Sequence, residues 1–243
     1  KNKLKISIIT VTKNSEKFLQ ETIDSLSKQT HKNFEHIVID GASSDKTLDI
    51  IKKNSNKITR WISEPDQGLY YAMNKGLNLC TGDIVGILNS DDIYLPNALS
   101  IVNEYFLKNE IDFLFGSVFK HKLMHGFHPK KIRWTFGFYT THSVGFFIKK
   151  ISQDKIGPYN TKYKWSADYD NFYKMIVKYK MIGMATTKDE VFGIFRQGGV
   201  SASIRYIDFL KENTQIRLDN GQNRIIVFVI FILRILRNFK KLF

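Results

Sequence analysis

The chain is poor in several features that would assign it quickly, and each absence narrows the field. It has one cysteine, Cys80, so no internal disulfide can form and no cysteine-based metal cluster is available, which suits a reducing compartment. Cys80 lies in an apolar helical stretch and is expected to act as a small packed hydrophobe. The uninterrupted apolar core of the C-terminal tail covers only residues 225–233, well short of the roughly 20 residues that a membrane-spanning helix needs. No glycine-rich loop follows the first apolar strand, where Thr12-Lys13-Asn14-Ser15-Glu16 stands instead. Acids are outnumbered 23 to 37 by Lys and Arg, giving a formal net charge of +14, so the partners are expected to be polyanionic. Nucleic acid, anionic lipid and phosphorylated small molecules all qualify. The lysines are dispersed, and neither a basic helix interleaved with aromatics nor a zinc-finger or RNA-recognition signature is present, so charge does not select nucleic acid. Lys1-Asn2-Lys3-Leu4-Lys5 leads straight into a strand, leaving no room for a secretory leader and placing the expected site of action in the cytoplasm.

What is present is alternation. Residues 6–11 are short, β-branched and apolar, and residues 15–28 carry Phe18, Leu19, Thr22, Ile23 and Leu26 at helical spacing behind Ser15 as an N-cap. Residues 34–39 repeat the strand pattern, Asp40-Gly41-Ala42-Ser43-Ser44-Asp45 makes a turn, and residues 46–53 read as a helix. A short strand at 59–62, a turn at Glu64-Pro65-Asp66-Gln67-Gly68, a helix to about Leu79 and a strand ending at Asn89 follow. A helix at 95–108 and a strand at 113–116 complete this half. Such alternation predicts right-handed crossovers and a mostly parallel sheet. After Ser117 the pattern becomes short strands and loops rich in aromatics (Phe127, Trp134, Phe136, Phe138, Tyr139), with one clear helix at 167–179, as in a half built for a second ligand. No long linker or internal repeat separates the halves, so 243 residues are expected to form one compact α/β domain with an appendage.

Asp91 and Asp92 stand where the apolar run Ile84-Val85-Gly86-Ile87-Leu88 breaks into Asn89-Ser90. A buried parallel strand delivers residues at its carboxyl end to the ligand-binding edge of such sheets, and hard cations are held by one or two carboxylates plus phosphate oxygens. The pair therefore suggests a Mn²⁺ or Mg²⁺ site holding a diphosphate; read alone, it equally suits a solvated loop or the N-cap of the next helix.

Four segments taken together, Ser7-Ile8-Ile9-Thr10-Val11-Thr12-Lys13-Asn14, Ile39-Asp40-Gly41-Ala42-Ser43-Ser44-Asp45-Lys46-Thr47, Leu88-Asn89-Ser90-Asp91-Asp92 and Ser166-Ala167-Asp168-Tyr169-Asp170, resemble the ordered motifs of glycosyltransferase family 2. Trp61-Ile62-Ser63-Glu64-Pro65-Asp66-Gln67-Gly68-Leu69-Tyr70, Asn74-Lys75-Gly76 and Thr81-Gly82-Asp83 strengthen the likeness, especially to members that build bacterial O-antigen and capsule repeats. The resemblance covers about residues 5–204 and implies an inverting, metal-dependent enzyme of the GT-A fold. That fold is a Rossmann-like, mostly parallel sheet flanked by helices, with a nucleotide-sugar half (about 1–116) merged with an acceptor half (about 117–204). Residues 205–243 would form a helical, membrane-associating tail.

By the same resemblance, Thr10, Val11 and Asn14 would contact base and ribose, and Asp40 would accept a base N–H, favouring uracil or another base with an imide N–H. Many relatives carry a second acid after that position; Gly41 stands here, which leaves the nucleotide open, and Asp40 also suits a plain turn. Asp66 and Lys75 would meet ribose or phosphate, Asp91 the ribose, and Asp92 the metal, which would act as a Lewis acid. Asp168 matches the family's general base, with Ala167 replacing the first acid of its usual Glu-Asp pair. It would take the acceptor hydroxyl's proton as that oxygen displaces the diphosphate with inversion. Arg196, in Phe195-Arg196-Gln197-Gly198-Gly199-Val200-Ser201, resembles a residue of the loop that closes over the donor. His142 would face the acceptor or diphosphate, or serve a structural role, and Trp165 would face the acceptor, although core packing suits it better. Trp134 and Phe138 suit core packing better than sugar stacking.

The tail, Arg224-Ile225-Ile226-Val227-Phe228-Val229-Ile230-Phe231-Ile232-Leu233-Arg234-Ile235-Leu236-Arg237 followed by Lys240-Lys241, is too apolar for an ordinary surface helix. It reads as an interfacial helix on anionic lipid, or as a helix packed on protein. The expected whole is a peripheral enzyme on the cytoplasmic face of the membrane, moving a sugar from a nucleotide-diphosphate donor to a polyprenyl-diphosphate-linked saccharide, with no nucleic-acid partner. Three other classes compete: a nucleic-acid-binding protein with a Rossmann-like core, motivated by charge; a sugar-phosphate nucleotidyltransferase, against which the glycine-poor first loop argues; and a binding module that has lost catalysis, against which Asp91, Asp92 and Asp168 argue.

Overall fold

Residues 6–12 are seven consecutive buried positions, which is possible only for a strand covered on both faces. The structure, a computed structural model, describes residues 3–134, 138–196 and 204–239. Phe136, the segment Gln197-Gly198-Gly199-Val200-Ser201 and Lys240-Lys241, all singled out above, lie outside them. The chain runs β1 (Ile6–Thr12), α1 (Leu19–Ser27), β2 (Phe34–Asp40), α2 (Thr47–Lys53), β3 (Arg60–Ser63), α3 (Leu69–Leu79), β4 (Ile84–Ile87), β5 (Ile93–Tyr94), α4 (Ala98–Lys108), β6 (Phe113–Phe115), β7 (Ser117–Phe119) and β8 (Leu123–Met124). It continues with β9 (Phe146–Lys149), α5 (Lys150–Ile156), α6 (Ala167–Tyr173), β10 (Gly183–Ala185), β11 (Val191–Ile194), α7 (Tyr206–Asp219) and α8 (Arg224–Arg237).

Seven strands form the main sheet in the order β10-β6-β9-β4-β1-β2-β3, parallel except for β9, which runs antiparallel between β4 and β6. A smaller sheet, β5-β11-β7-β8, stands beside it. Alternation along β1 divides the core. Ile9 and Val11 face a cluster with Tyr70 and Met73 of α3 and Phe172 of α6, while Ile6 and Ile8 face Leu99, Val102 and Phe106 of α4. In-register pairing sets Thr12, Asp40 and Ser63 side by side, so β1, β2 and β3 end at one edge, and the turn after β4 opens onto the same edge.

Several local expectations are corrected. Ser15 does not cap α1: its hydroxyl bonds Ser90 Oγ at 2.8 Å, and the helix begins at Leu19 after a turn closed on the Ser15 carbonyl. The helix expected over 167–179 stops at Tyr173 and widens into a π-type turn, Lys174–Lys178. Phe138 is fully buried as expected, but Trp134 is more than half exposed. Tail residues also do more than extend the chain. α7 packs on α6 through Asn213 to Ser166, Arg217 Nε to the Tyr169 hydroxyl, and Glu212, which accepts the Lys164 and Trp165 N–H groups. α8 begins where Asn223 Oδ1 accepts from the N–H groups of Ile225 and Ile226, and only Val227 and Ile230 of it are buried.

Candidate active site

The turn beyond β4 is held from three sides. Thr22 of α1 donates its hydroxyl to the carbonyls of Ser90 and Asp92 at 3.0 and 2.8 Å, Ser15 holds Ser90, and Ser143 Oγ accepts the Asn89 N–H at 2.9 Å. Asp92 is thereby turned inward and is fully buried, with Ser143 Oγ donating to its Oδ2 at 2.7 Å and the Arg196 N–H to its Oδ1 at 2.9 Å. Burial pushes the Asp92 carboxyl up to about 7; those two bonds oppose the rise and the adjacent Asp91 charge adds to it. Asp91 is less enclosed, and burial raises it too. Two carboxylates whose burial disfavours their charge make a donor set that a divalent cation would relieve, and each Asp92 oxygen keeps a second lone pair. Among the described residues no group of three or more His, Cys, Asp or Glu side chains gathers for a metal. Any cation here would therefore take its remaining ligands from water or from substrate phosphate.

Val144, next to Ser143, has φ +68°, a left-handed conformation that a β-branched side chain adopts only under constraint. The constraint is visible: its N–H donates to the Ile87 carbonyl, while Thr141 Oγ1 bonds the Ser143 carbonyl and accepts the Gly145 N–H. The strained bend aims Ser143 at Asp92 and His142 the other way, toward a second cluster.

That cluster surrounds Asp168 in the first turn of α6. Its Oδ1 accepts the Tyr70 hydroxyl at 3.0 Å and the Tyr169 N–H at 2.9 Å, and the Tyr139 hydroxyl stands 3.5 Å from Oδ2. Burial, then the Asp168 charge, raises both phenols well above their ordinary value, so they stay protonated and donate. His142 Nε2 lies 2.7 Å from the Tyr159 hydroxyl, and its ring stacks on Phe146. Burial lowers its pKa, with the Asp168 charge working against that, so His142 favours the neutral form. The tyrosines come from α3 and from loops around residues 139 and 159, and no spacing in the sequence announces their meeting.

The remaining expected donor residues divide. Asp40 is fully buried and well supplied with donors: Ser63 Oγ at 2.6 Å, the Ser43 N–H at 3.1 Å and the Ser43 hydroxyl. Asp66 takes the Gly68 N–H on Oδ1 at 2.9 Å, and its Oδ2 lies over Gly41, 2.5 Å from where a Cβ would stand. The glycine thus makes room for an acid from another strand end. Asn14, at φ +51°, lies at the same edge, but its Oδ1 accepts the Ser44 N–H and ties two loops together. Thr10 is not brought to this edge: its hydroxyl bonds His36 Nε2 at 2.9 Å in the interior, where burial lowers His36 to about 3. Val11 is also buried. Lys75 is paired with Glu64 at 2.7 Å. Arg196 is ion-paired with Glu21 and lies 4.8 Å over the Phe18 ring, so its guanidinium is parked against α1 while its backbone serves Asp92. Trp165 lies beside Asp168, its carbonyl 3.2 Å from the Tyr70 hydroxyl and its ring covered by Lys164. Sequence reasoning missed Ser143, Tyr70, Tyr139 and Tyr159. A cavity of about 530 Å³ lined by His31, Asn103 and Glu104 includes none of these residues.

Residues 7–180 match the family profile described as Glycosyl transferase family 2. The PGL/p-HBAD biosynthesis glycosyltransferase of Mycobacterium bovis is 28% identical over 224 residues, spanning 84% of this chain and 82% of that protein. The UDP-Glc:alpha-D-GlcNAc-diphosphoundecaprenol beta-1,3-glucosyltransferase WfgD of Escherichia coli is 34% identical over 113 residues, 46% of this chain and 45% of that protein. In shape the chain is similar to S. aureus TarS in complex with UDP, with TM-score 0.71 at 20% identity over 98% of this chain and 72% of that one. It is also similar to the mannosyltransferase PcManGT of Pyrobaculum calidifontis in complex with GDP-Man and Mn²⁺, with TM-score 0.67 at 16% identity over 95% and 68% of the two chains. At these identities the likeness speaks for the fold, the GT-A arrangement expected above. Among the described residues no helix is long and apolar enough to cross a membrane.

Proposed function

The chain belongs to glycosyl transferase family 2 and is a glycosyltransferase, and from that premise we propose that it transfers a sugar, with inversion, from a UDP-sugar to a polyprenyl-diphosphate-linked saccharide during assembly of a bacterial surface polysaccharide such as O-antigen or capsule. The observation that carries the reading is the bend at residues 141–145, which joins the buried Asp92 to the cluster around Asp168 through adjacent side chains, Ser143 and His142. Donor diphosphate and acceptor hydroxyl would meet across that bend.

Asp92 would hold Mn²⁺ or Mg²⁺, which when bound offsets negative charge on the departing nucleoside diphosphate, and Asp91 beside it would bond the ribose. Asp66, with Oδ2 over Gly41, is an open acceptor for a base or ribose donor, and Asp40, already bonded to Ser43 and Ser63, supports the loop around it. Asp168 would take the acceptor's proton. Tyr70 and the Tyr169 N–H hold its Oδ1, leaving a lone pair of Oδ2 to face the hydroxyl. Neutral His142 would accept or donate a hydrogen bond without competing for that proton.

The names of relatives support the finer parts. WfgD is named for a UDP-sugar donor and a diphosphoundecaprenol-linked acceptor, TarS is seen with UDP, and PcManGT with Mn²⁺. A lipid-linked acceptor and the exposed apolar face of α8 support action at an anionic membrane surface, on the cytoplasmic side. We take residues 1–204 as the transferase domain and 205–243 as its membrane-associating tail.

Titration calorimetry with UDP, GDP, dTDP and CDP, each with and without Mn²⁺, tests the donor site. UDP should bind in a metal-dependent way, and Asp92→Ala should lose it. A folded protein that binds none of the four would sink the proposal and favour the nucleic-acid alternative, which predicts steeply salt-dependent DNA or RNA binding.

A further inference from the structure

Helix α8 leaves most of its apolar surface in water. Val227 and Ile230 are buried, while Ile225, Phe228 and Leu236 are 75, 63 and 67% exposed, with Leu233 and Val229 exposed beside them. Contiguous apolar surface of this kind marks an interaction site. A second element lies against it. Arg234 donates to the Trp134 carbonyl at 3.0 Å, and Trp134 and Ile226 line one small cavity. The Trp134 side belongs to the same face, and the residue is 57% exposed. Just before it, the 3₁₀ turn Pro129–Lys131 holds Lys130 and Lys131 in solvent.

Basic side chains gather at this face. Arg217 of α7 is 2% exposed and gives Nε to the Tyr169 hydroxyl, and its two terminal nitrogens have no hydrogen-bond partner among the described residues. Arg234 is close enough that burial and then the Arg217 charge lower its pKa. Together with Lys130, Lys131 and Arg237, these guanidinium groups raise the positive potential at the apolar surface. A second copy of this chain, related by a two-fold axis, would set that positive field against itself, whereas an anionic leaflet answers it.

We propose that α8 and residues 129–134 form one docking surface for a bilayer containing anionic phospholipid, with Trp134 as a second anchor at the headgroup level. The proposal rests on the membrane-surface reading above and deepens it. Two anchors fix a rotational setting that one helix lying in an interface cannot. The setting reaches the site: the Ile132 carbonyl accepts the Tyr169 hydroxyl at 2.8 Å, and Tyr169 follows Asp168 on α6. Docking would therefore orient the end of the site that carries Asp168 relative to the leaflet in which a lipid-linked acceptor lies.

Flotation of the full chain with vesicles of phosphatidylcholine, alone or mixed with phosphatidylglycerol, tests this, alongside Trp134→Ala and the double variant Phe228→Ser, Leu233→Ser. The wild type should float with the mixed vesicles and lose binding as salt rises. Trp134→Ala should weaken binding about tenfold, as expected for withdrawing roughly 50 Å² of aromatic surface from lipid, and the double variant should weaken it further. Circular dichroism and metal-dependent UDP binding should be unchanged in both, which separates this outcome from failure of the donor site. Equal binding by Trp134→Ala and wild type would remove the second anchor. A wild type that ignores both vesicles but sediments as a dimer, with the double variant monomeric, would overturn the proposal in favour of a protein interface.

Discussion

Replacing Asp92 with asparagine should make the cation-free protein progressively more stable than wild type as pH rises. In the folded chain burial pushes this carboxyl up to about 7, while in the unfolded chain it titrates near 4. Between those values the native state binds more protons than the unfolded state, so the Asp92 contribution to stability declines as pH increases from about 4 to about 7 and is constant beyond. Asparagine carries no charge and has no such slope. From pH 5 to pH 8 the gap between variant and wild type should therefore widen by about two pKa units of charge burial, or about 3 kcal/mol. The hydrogen-bond change does not affect this figure. An amide that keeps its carbonyl toward Ser143 loses the Arg196 N–H bond, about 1 kcal/mol, at both pH values.

Urea unfolding of the two proteins at pH 5 and pH 8 in chelator reads the gap directly. With slopes of about 2–3 kcal/mol per molar urea for a chain of this size, the midpoint difference should shift by about 1 M. Other groups titrate in the same range, but they are common to both proteins and cancel in the difference. Added Mn²⁺ should stabilise the wild type at pH 8, less so at pH 5 where Asp92 is protonated, and leave the variant almost unmoved. A gap that does not change between pH 5 and pH 8 would refute the reasoning, because the carboxyl would then not be carrying a burial cost in the folded state.

Three further perturbations address the rest of the site. Asp168→Asn should reduce transfer by about a thousandfold while donor affinity in calorimetry is retained, since a general base contributes at the chemical step; retained activity would remove Asp168 as the base. Tyr70→Phe should lower kcat about tenfold with KM for the donor unchanged, because the hydroxyl holds Asp168 Oδ1 and lies against the Trp165 carbonyl, away from Asp40 and Asp66; a change in KM alone would contradict that. Gly41→Ala should weaken nucleotide binding about tenfold with little change in Tm, because its Cβ would stand 2.5 Å from Asp66 Oδ2 and displace an exposed-side carboxylate rather than core; calorimetry with UDP against Asp66→Ala, which should weaken binding similarly, checks the assignment.

What was legible in the sequence was whatever depends on local period. The β-branched runs at β1 and β2 and the helical spacing in α1 and α3 predicted the first four parallel strands, and the break at Asn89-Ser90 predicted where two acids would emerge. Elsewhere, contacts from distant segments decide what a side chain does. Ser15 was expected to cap a helix because serine before an apolar stripe does so locally, but a second hydroxyl, that of Ser90, arrives from 75 residues away and takes the bond. Thr10 was placed with the donor by its motif, yet strand alternation turns its side chain inward to His36. Arg196, which the resemblance places at the diphosphate, is ion-paired with Glu21, a residue 175 positions away.

The antiparallel strand β9 matters most to what could not be read. Its insertion between β4 and β6 carries residues 139–145 across the carboxyl edge of the sheet, and only then do Ser143 and Asp92, 51 positions apart, come within hydrogen-bonding distance. The same crossing sets Tyr139 and His142 beside Asp168, with Tyr70 delivered from α3 on the far side. Motifs locate an acid by its neighbours in sequence, but the reactivity of that acid is set by neighbours in space. For Asp92 those neighbours enforce burial and a raised pKa, and for Asp168 they supply donors to an accessible carboxylate. On the proposed reading, two aspartates that look alike in sequence would do different work, one holding a countercharge and the other taking a proton.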